Sequence, residues 1–505
     1  MKIIGQMAGT IVTAAVLAAL TATPSFAGQL LTTHVPDPVA RQLVQVAGRP
    51  DPNTVLHLDV VLPMRNDGQL DELLQQIYDP KSPQYRHYLT VAEFTRQFGP
   101  SQSDYSKATR FFGASALQVT RTNANRYMIE VTGRVADVEK MFHVRLNLYK
   151  HPTQNRNFIA PDREPSVDLD VPLLHVTGLD NYILPAPRVT NRKIIGQDKN
   201  NGTGSGPDGA YLGSDMRAAY YGGTALTGAG QSVGLMELEG YIPSDISLYF
   251  NTVGQPLNVP VNGISVDGTP VNCGHCDDAE QALDIEYSIS MAPGLAQVQV
   301  YVAASAEAVL EAMASDDTSM QLSTSWGWNE DFDVDDPLWK EMAAQGQSFF
   351  TASGDFSNLQ DSGPWPEEDA NLTAVGGTDL VTTGPGGAYA SETGWSHSAG
   401  GPSLDKHIKI ESYQKHFINA QNMGSKKLRN VPDVAAQANT NNYICSNGGC
   451  GGNWGGTSFA SPMWAGFIAL ANQQAAQNYT AVAGYDLVTG LGSPNGQGLI
   501  DALAP

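Results

Sequence analysis

The sequence predicts an α/β protein in which a parallel sheet flanked by helices follows a smaller α+β unit. Three observations carry that prediction. The chain has 505 residues, more than one typical domain uses and enough to bury a large core. Beyond about residue 210, apolar strand-like runs alternate with helical patterns, as a parallel sheet with crossover helices requires. The charge is also divided: residues 28–190 carry 17 basic and 17 acidic side chains, whereas residues 191–505 carry 11 basic and 34 acidic. Such asymmetry separates segments with different fates.

The elements follow in order. Lys2 opens the chain with weak positive charge, residues 11–20 are apolar, and Ser25 and Ala27 are small. This pattern marks residues 1–27 as a secretory signal. The apolar run falls short of the ~20 residues that cross a bilayer, so the chain is expected to be secreted, with no membrane partner. Residues 28–184 form the α+β unit. TVLHLDVVL alternates as a strand and GQLDELLQQIYD has helical spacing. Thr90 with Glu93, and Ser101 with Asp104, read as capping boxes for two further helices. The runs ALQVTRT, RYMIEVTG, ADVEKMFH and VRLNLYK then read as strand, strand, helix and strand, an order close to a ferredoxin-like arrangement. Residues 185–209, PAPRVTNRKIIGQDKNNGTGSGPDG, read as a linker and an easy place for proteolytic processing. Its glycines follow no strand and precede no Gly-Lys-Ser/Thr, so they do not make a phosphate loop.

Residues 210–505 form the larger domain. QSVGLMELEG, AQVQVYVAA, SMQLSTSWG, QSFFTASGD and NLTAVGGTDL read as buried strands, with helices at DDAEQALDIEYSISMA and SAEAVLEAMAS. The acidic balance suits a domain that works in acid, where protonation relieves self-repulsion, and it argues against nucleic acid as a partner. Four cysteines, Cys273, Cys276, Cys445 and Cys450, allow three disulfide pairings. The local pairs 273–276 and 445–450 are the simplest in an exported chain; a four-cysteine zinc site is the alternative.

Chemistry concentrates at GGTSFASPMWAGFIALANQQ, residues 455–474. A glycine turn entering a helix exposes the Ser458 hydroxyl among free backbone N–H groups, which suits a nucleophile beside an oxyanion site. A plain helix cap would not need the glycine run. The serine needs a base, yet no His-Gly-Thr-His context of the subtilisin kind exists, and His397, His407 and His416 sit in polar sequence that reads as surface. Glu280 and Asp284 stand four residues apart and so share one helix face. Two acids that close share protons, and one has its pKa raised. Such a pair can act as base where histidine, with a reference pKa near ~6.5, is already charged. Taken alone, the same spacing describes a solvated acidic helix face.

Several motifs together resemble the sedolisin family of serine-carboxyl peptidases, kumamolisin-like and pseudomonalisin-like members included. GGTSFASP is similar to its Gly-Thr-Ser-x-x-x-Pro nucleophile motif and EQALDIEYSISMAPG to its Glu-x-x-x-Asp helix. TASGD resembles the segment bearing the oxyanion aspartate, STSWG the substrate-lining strand, and VGLMELEGY the segment with a supporting acid. PQYRHYLTVAEFTRQFGPS resembles the activation prodomain. The resemblance implies a subtilisin-like catalytic domain with Ser458 as nucleophile, Glu280 as base, Asp284 as its partner and Asp355 at the oxyanion. Glu237 supports these groups and Trp326 lines the substrate site. It implies a monomeric zymogen whose own prodomain is its inhibitor and whose substrates are polypeptides. It also implies calcium, held by Asp486 and the Gly484 carbonyl, but residues 434–485 contain no Asp or Glu, while calcium takes six or more oxygens. A secreted, inactive homologue that binds peptides, or a peptidase with a displaced histidine, are the rival readings.

Overall fold

A computed structural model describes residues 28–191, 203–329, 332–359, 366–476 and 496–503. The signal segment therefore lies outside the described residues. Among those described, no helix is long and apolar enough to cross a membrane.

The larger domain is built on an eight-stranded sheet. Its strands run in the order Val261–Ser265, Gln297–Val302, Ser232–Glu237, Gln321–Thr324, Ser348–Ala352, Thr373–Thr382 and Tyr389–Gly394, and Val434–Gln437 also pairs with Thr373–Thr382. All these pairings are parallel except the last hairpin, Thr373–Thr382 with Tyr389–Gly394. The strands read as continuous apolar runs because helices cover both faces. On one face lie Ala279–Met291 and Thr457–Ala476, in one core with Val233, Leu235, Val300 and Phe350. On the other, Ala306–Asp316 and Phe332–Gln345 pack with Met236, Tyr301 and Leu322. Every residue of Ala279–Met291 is buried, so the helix bearing Glu280 and Asp284 is not a solvated acidic face.

In the N-terminal unit the expected strands and helices form. Gln118–Thr122, Met128–Arg134 and Val55–Val61 lie side by side in antiparallel order, the ferredoxin-like arrangement. The next edge is taken by His175–Val176, while Leu146–Lys150 pairs with Val46–Gly48 and Asn157–Pro161 in a separate small sheet. The Thr90 box closes in both directions. At Ser101 only half forms: the Asp104 N–H donates to the Ser101 hydroxyl, but the shorter Asp104 carboxylate accepts from that hydroxyl rather than from the backbone.

The two units share apolar cores. Val61, Tyr127 and Met128 pack with Val309, Leu338 and Trp339, and Leu70, Phe94 and Phe98 pack with Ala343 and Ala344. Both cysteine pairs are local disulfides, 273–276 and 445–450, which removes the zinc alternative.

Candidate active site

The site residues come from the carboxyl ends of adjacent parallel strands, where open α/β sheets place ligand chemistry. Glu237 ends Ser232–Glu237, Ser325 and Trp326 follow Gln321–Thr324, and Asp355 follows Ser348–Ala352. Over these ends lie the first turns of Ala279–Met291, with Glu280 and Asp284, and of Thr457–Ala476, with Ser458. All six predicted residues of the catalytic and substrate-lining set thus meet in one place.

Ser458 is fully buried, and its Oγ has no conventional hydrogen-bond partner. It acts on the nearby Glu280 carboxyl, favouring the ionised form of that group. Glu280 Oε2 accepts from the Val189 N–H at 2.5 Å, and Oε1 is left without a donor. Burial, then the charge of Asp284, push Glu280 well above the usual carboxylate range.

Asp284 Oδ1 accepts from the Ser325 hydroxyl at 2.7 Å, and the same hydroxyl approaches the Ser458 carbonyl at 3.0 Å. Its other oxygen faces Glu237, whose Oε2 accepts from Trp326 Nε1 at 2.8 Å. Neither facing oxygen has another donor. Two buried carboxyl groups facing each other bond only if one carries a proton, and burial raises both pKa values. Asp284 and Glu237 thus form a proton-sharing pair pinned by a serine and an indole, and the charge of Asp284 acts on Glu280.

Asp355 is positioned by Thr457, whose N–H and Oγ1 both donate to Oδ1, at 2.8 and 2.9 Å. Oδ2 has no donor, and burial raises the group to about 6 against the lowering effect of the Thr457 bonds. Gly456 must be glycine here. At its φ of +135° an added Cβ would stand 2.8 Å from Asp355 Oδ2 and 2.9 Å from the Arg188 carbonyl oxygen. Asp355 Oδ2 and the Arg188 carbonyl therefore share the bare face of Gly456.

Sequence reasoning missed four participants. Ser325 and Thr457 lie within the quoted motifs and could have been found there. Arg188 and Glu367 carried no local signal, yet they form a buried ion pair at 3.2 Å. Burial lifts Glu367 to about 8, and the guanidinium, charged at every pH, opposes that rise. The loose linker expected over residues 185–209 is strand-like at its start. Ala186–Pro187 pairs with Trp326–Gly327, and Thr190–Asn191 pairs with Gly449–Gly455. Of the histidines, His275, His407 and His416 are exposed, while His397 is half-buried against Trp395.

Asp486 and Gly484 lie outside the described residues. Among the described residues no group of three or more His, Cys, Asp or Glu side chains could hold a metal. Asp501, the remaining acid after residue 486, already accepts from Gln474 and Gln497.

Residues 43–182 match the pro-kumamolisin activation domain and residues 280–488 match the subtilase family. Kumamolisin of Bacillus sp. strain MN-32 is 27% identical over 489 residues, covering 84% of this chain and 87% of its own. Sedolisin of Pseudomonas sp. strain 101 is 25% identical over 512 residues, covering 88% and 85%. A solved structure of Pseudomonas sedolisin, described as a serine-carboxyl proteinase complexed with pseudo-iodotyrostatin, superposes with a TM-score of 0.50 at 23% identity. That likeness covers 58% of this chain and 97% of the sedolisin chain and bears on the fold of the larger domain. The chain thus joins an activation domain of the pro-kumamolisin type to a domain of the subtilase family, and it is similar to kumamolisin and sedolisin along most of their length.

Proposed function

We propose that the protein is a secreted, acid-acting serine-carboxyl endopeptidase made as a zymogen, and that it acts as a monomer. The observation that carries the reading is the buried Ser458 hydroxyl lying against Glu280, with a peptide segment laid across both. In the reaction Ser458 Oγ attacks the substrate carbonyl as Glu280 takes its proton. Asp284, sharing a proton with Glu237, raises the affinity of Glu280 for the serine proton through its charge. Asp355, protonated below about 6, donates from Oδ2 to the oxyanion. Glu280 returns its proton to the leaving amine, and water hydrolyses the acyl-enzyme by the reverse sequence.

Two features favour cleavage within chains over removal of N-terminal tripeptides. The polypeptide in the cleft continues without interruption on its N-terminal side into the prodomain, and it pairs on both sides of the serine. The prodomain blocks the site as an intramolecular inhibitor, since its trailing segment covers Ser458.

The test is turnover of a denatured protein from about pH 2 to 8, on the full chain and on Glu280→Ala. Activity confined to acid and lost in the variant supports the carboxylate mechanism. Neutral activity that survives the substitution overturns Glu280 as base. No activity at any pH favours a peptide-binding homologue without turnover.

A further inference from the structure

The segment leading out of the N-terminal unit lies in the cleft as a substrate would. Ala186 and Pro187 pair antiparallel with Gly327 and Trp326, and the Arg188 N–H donates to the Ser325 carbonyl at 3.0 Å. Beyond it, Thr190 and Asn191 pair with Gly455 and Trp454. Of the three peptide bonds between the two pairings, the one joining Arg188 to Val189 sits at the centre of the site. Its carbonyl oxygen lies over Gly456 beside the donorless Oδ2 of Asp355. Its nitrogen side, the Val189 N–H, rests on the Glu280 carboxyl. The carbonyl faces the acid that would stabilise it as an oxyanion, and the leaving nitrogen faces the group that would protonate it.

The Arg188 side chain then identifies the pocket for the residue whose carbonyl is attacked. It is 3% exposed, and its guanidinium reaches both oxygens of Glu367, at 3.2 and 3.4 Å. Glu367 sits in the short helix Pro366–Glu368, fully buried. An arginine enters such a site only when its charge is met, because an uncompensated buried charge costs several kcal/mol. A buried carboxylate with no cation against it is equally disfavoured.

We propose that Glu367 is the specificity-determining carboxyl of this pocket, that the pocket selects arginine or lysine, and that Arg188–Val189 is the bond cut when the chain matures. This rests on the peptidase reading above. In the cut, the Arg188 acyl carbon passes to Ser458 Oγ while Val189 nitrogen leaves with the proton that Glu280 took from the serine. Water then supplies hydroxyl to the acyl carbon and a proton to Ser458, leaving Arg188 as a new C-terminus and Val189 as a new N-terminus.

The experiment acidifies the full chain to about pH 4, sequences the N-terminus of the product, and maps cuts in a denatured protein by mass spectrometry. A mature chain beginning at Val189, with cuts after arginine and lysine, is expected. Glu367→Leu, which removes both acceptor oxygens, is expected to lower the ratio of kcat/KM on arginine over leucine peptides ~10²-fold. Arg188→Leu leaves the pocket intact; it is expected to slow maturation and yield an enzyme of unchanged preference, so the proposal stays testable if Glu367→Leu fails to fold. An active enzyme that cuts after apolar residues and matures at another bond overturns the proposal and leaves the acid-peptidase reading in place. A chain that cuts nothing overturns both.

Discussion

Among the described residues, burial acts in the same direction on the carboxyl cluster of the candidate site and on one at the seam between the two units. In the catalytic cluster, Glu280, Asp284 and Glu237 are pushed well above the usual range. At the seam between the two units, Glu311 is raised to about 8 and Glu341 is raised well above its usual value. What differs is the donor that meets them. Asn125, on the N-terminal unit, reaches Glu311 and Glu341 at 2.7 and 2.8 Å with one amide. Glu280 meets instead a serine hydroxyl and the N–H of a peptide threaded through the cleft. A raised pKa therefore does not mark catalysis by itself. What lies against the carboxyl matters more: the seam acids meet the Asn125 amide, which departs with the prodomain, and Glu311 also meets the Ser315 hydroxyl one turn along its own helix.

The largest expected effect separates the two clusters directly. Glu280→Gln keeps the shape but removes the base, and is expected to lower turnover by ~10³–10⁴-fold and leave the chain unprocessed, as gel analysis during acidification would read. Glu341→Gln, the same change at the seam, is expected to leave peptide hydrolysis by the matured enzyme within ~2-fold of wild type, since it adjoins no reacting atom. Comparable losses in both variants would erase the distinction.

Asp355 gives the next effect. Its carboxyl donates only when protonated, so turnover is expected to fall as pH rises through about 6. An asparagine donates at every pH. Asp355→Asn is therefore expected to flatten that limb of the kcat/KM profile, whereas Asp355→Ala, with no donor, costs ~10²-fold throughout. An unchanged limb in the asparagine variant would assign the titration to another group.

Much of this was legible because catalysis needs fixed local spacing. Glu280 and Asp284 are one helical turn apart, and the glycines before Ser458 announce its turn. Other parts were hidden by distance or burial. Glu367 meets a residue 179 positions earlier, and no local pattern says which linker side chain will cross that gap. The helix Phe332–Gln345 escaped notice because its first turn is acidic and Pro337 lies inside it, although ten of its residues are buried. It is also the surface on which Tyr78, Leu89 and Tyr127 of the N-terminal unit dock.

The seam supplies a smaller, pH-linked effect. Glu311 has a folded pKa raised to about 8, above its unfolded value of ~4.3. The stability it contributes is full below that lower value and is lost as pH rises through about 8. In the uncleaved Ser458→Ala chain, hydrogen exchange around Asn125 and Glu341, corrected for the intrinsic rise of amide exchange with pH, is expected to be slower at about pH 5 than at about pH 8. Asn125→Ala leaves two buried acids without that donor and is expected to weaken the seam by about 1–3 kcal/mol. Exchange at the seam that is indifferent to both changes would mean the apolar packing alone holds the prodomain.

The smallest expected effect concerns metal. After residue 433 the chain has two acids, Asp486 and Asp501, and Asp501 is already engaged by two glutamine amides. Calcium draws its affinity from several carboxylates, so this end is expected to bind it weakly. A site filled at 100 times its Kd would add about 2.7 kcal/mol to stability, readily seen as a shift in Tm. EDTA is accordingly expected to leave the Tm of the uncleaved Ser458→Ala chain within ~1 °C of its value in excess calcium, a change of a few tenths of a kcal/mol at most. A larger fall on chelation would show that backbone carbonyls replace the missing acids, and would make the metal, rather than the carboxyl clusters, the principal anchor of the C-terminal end.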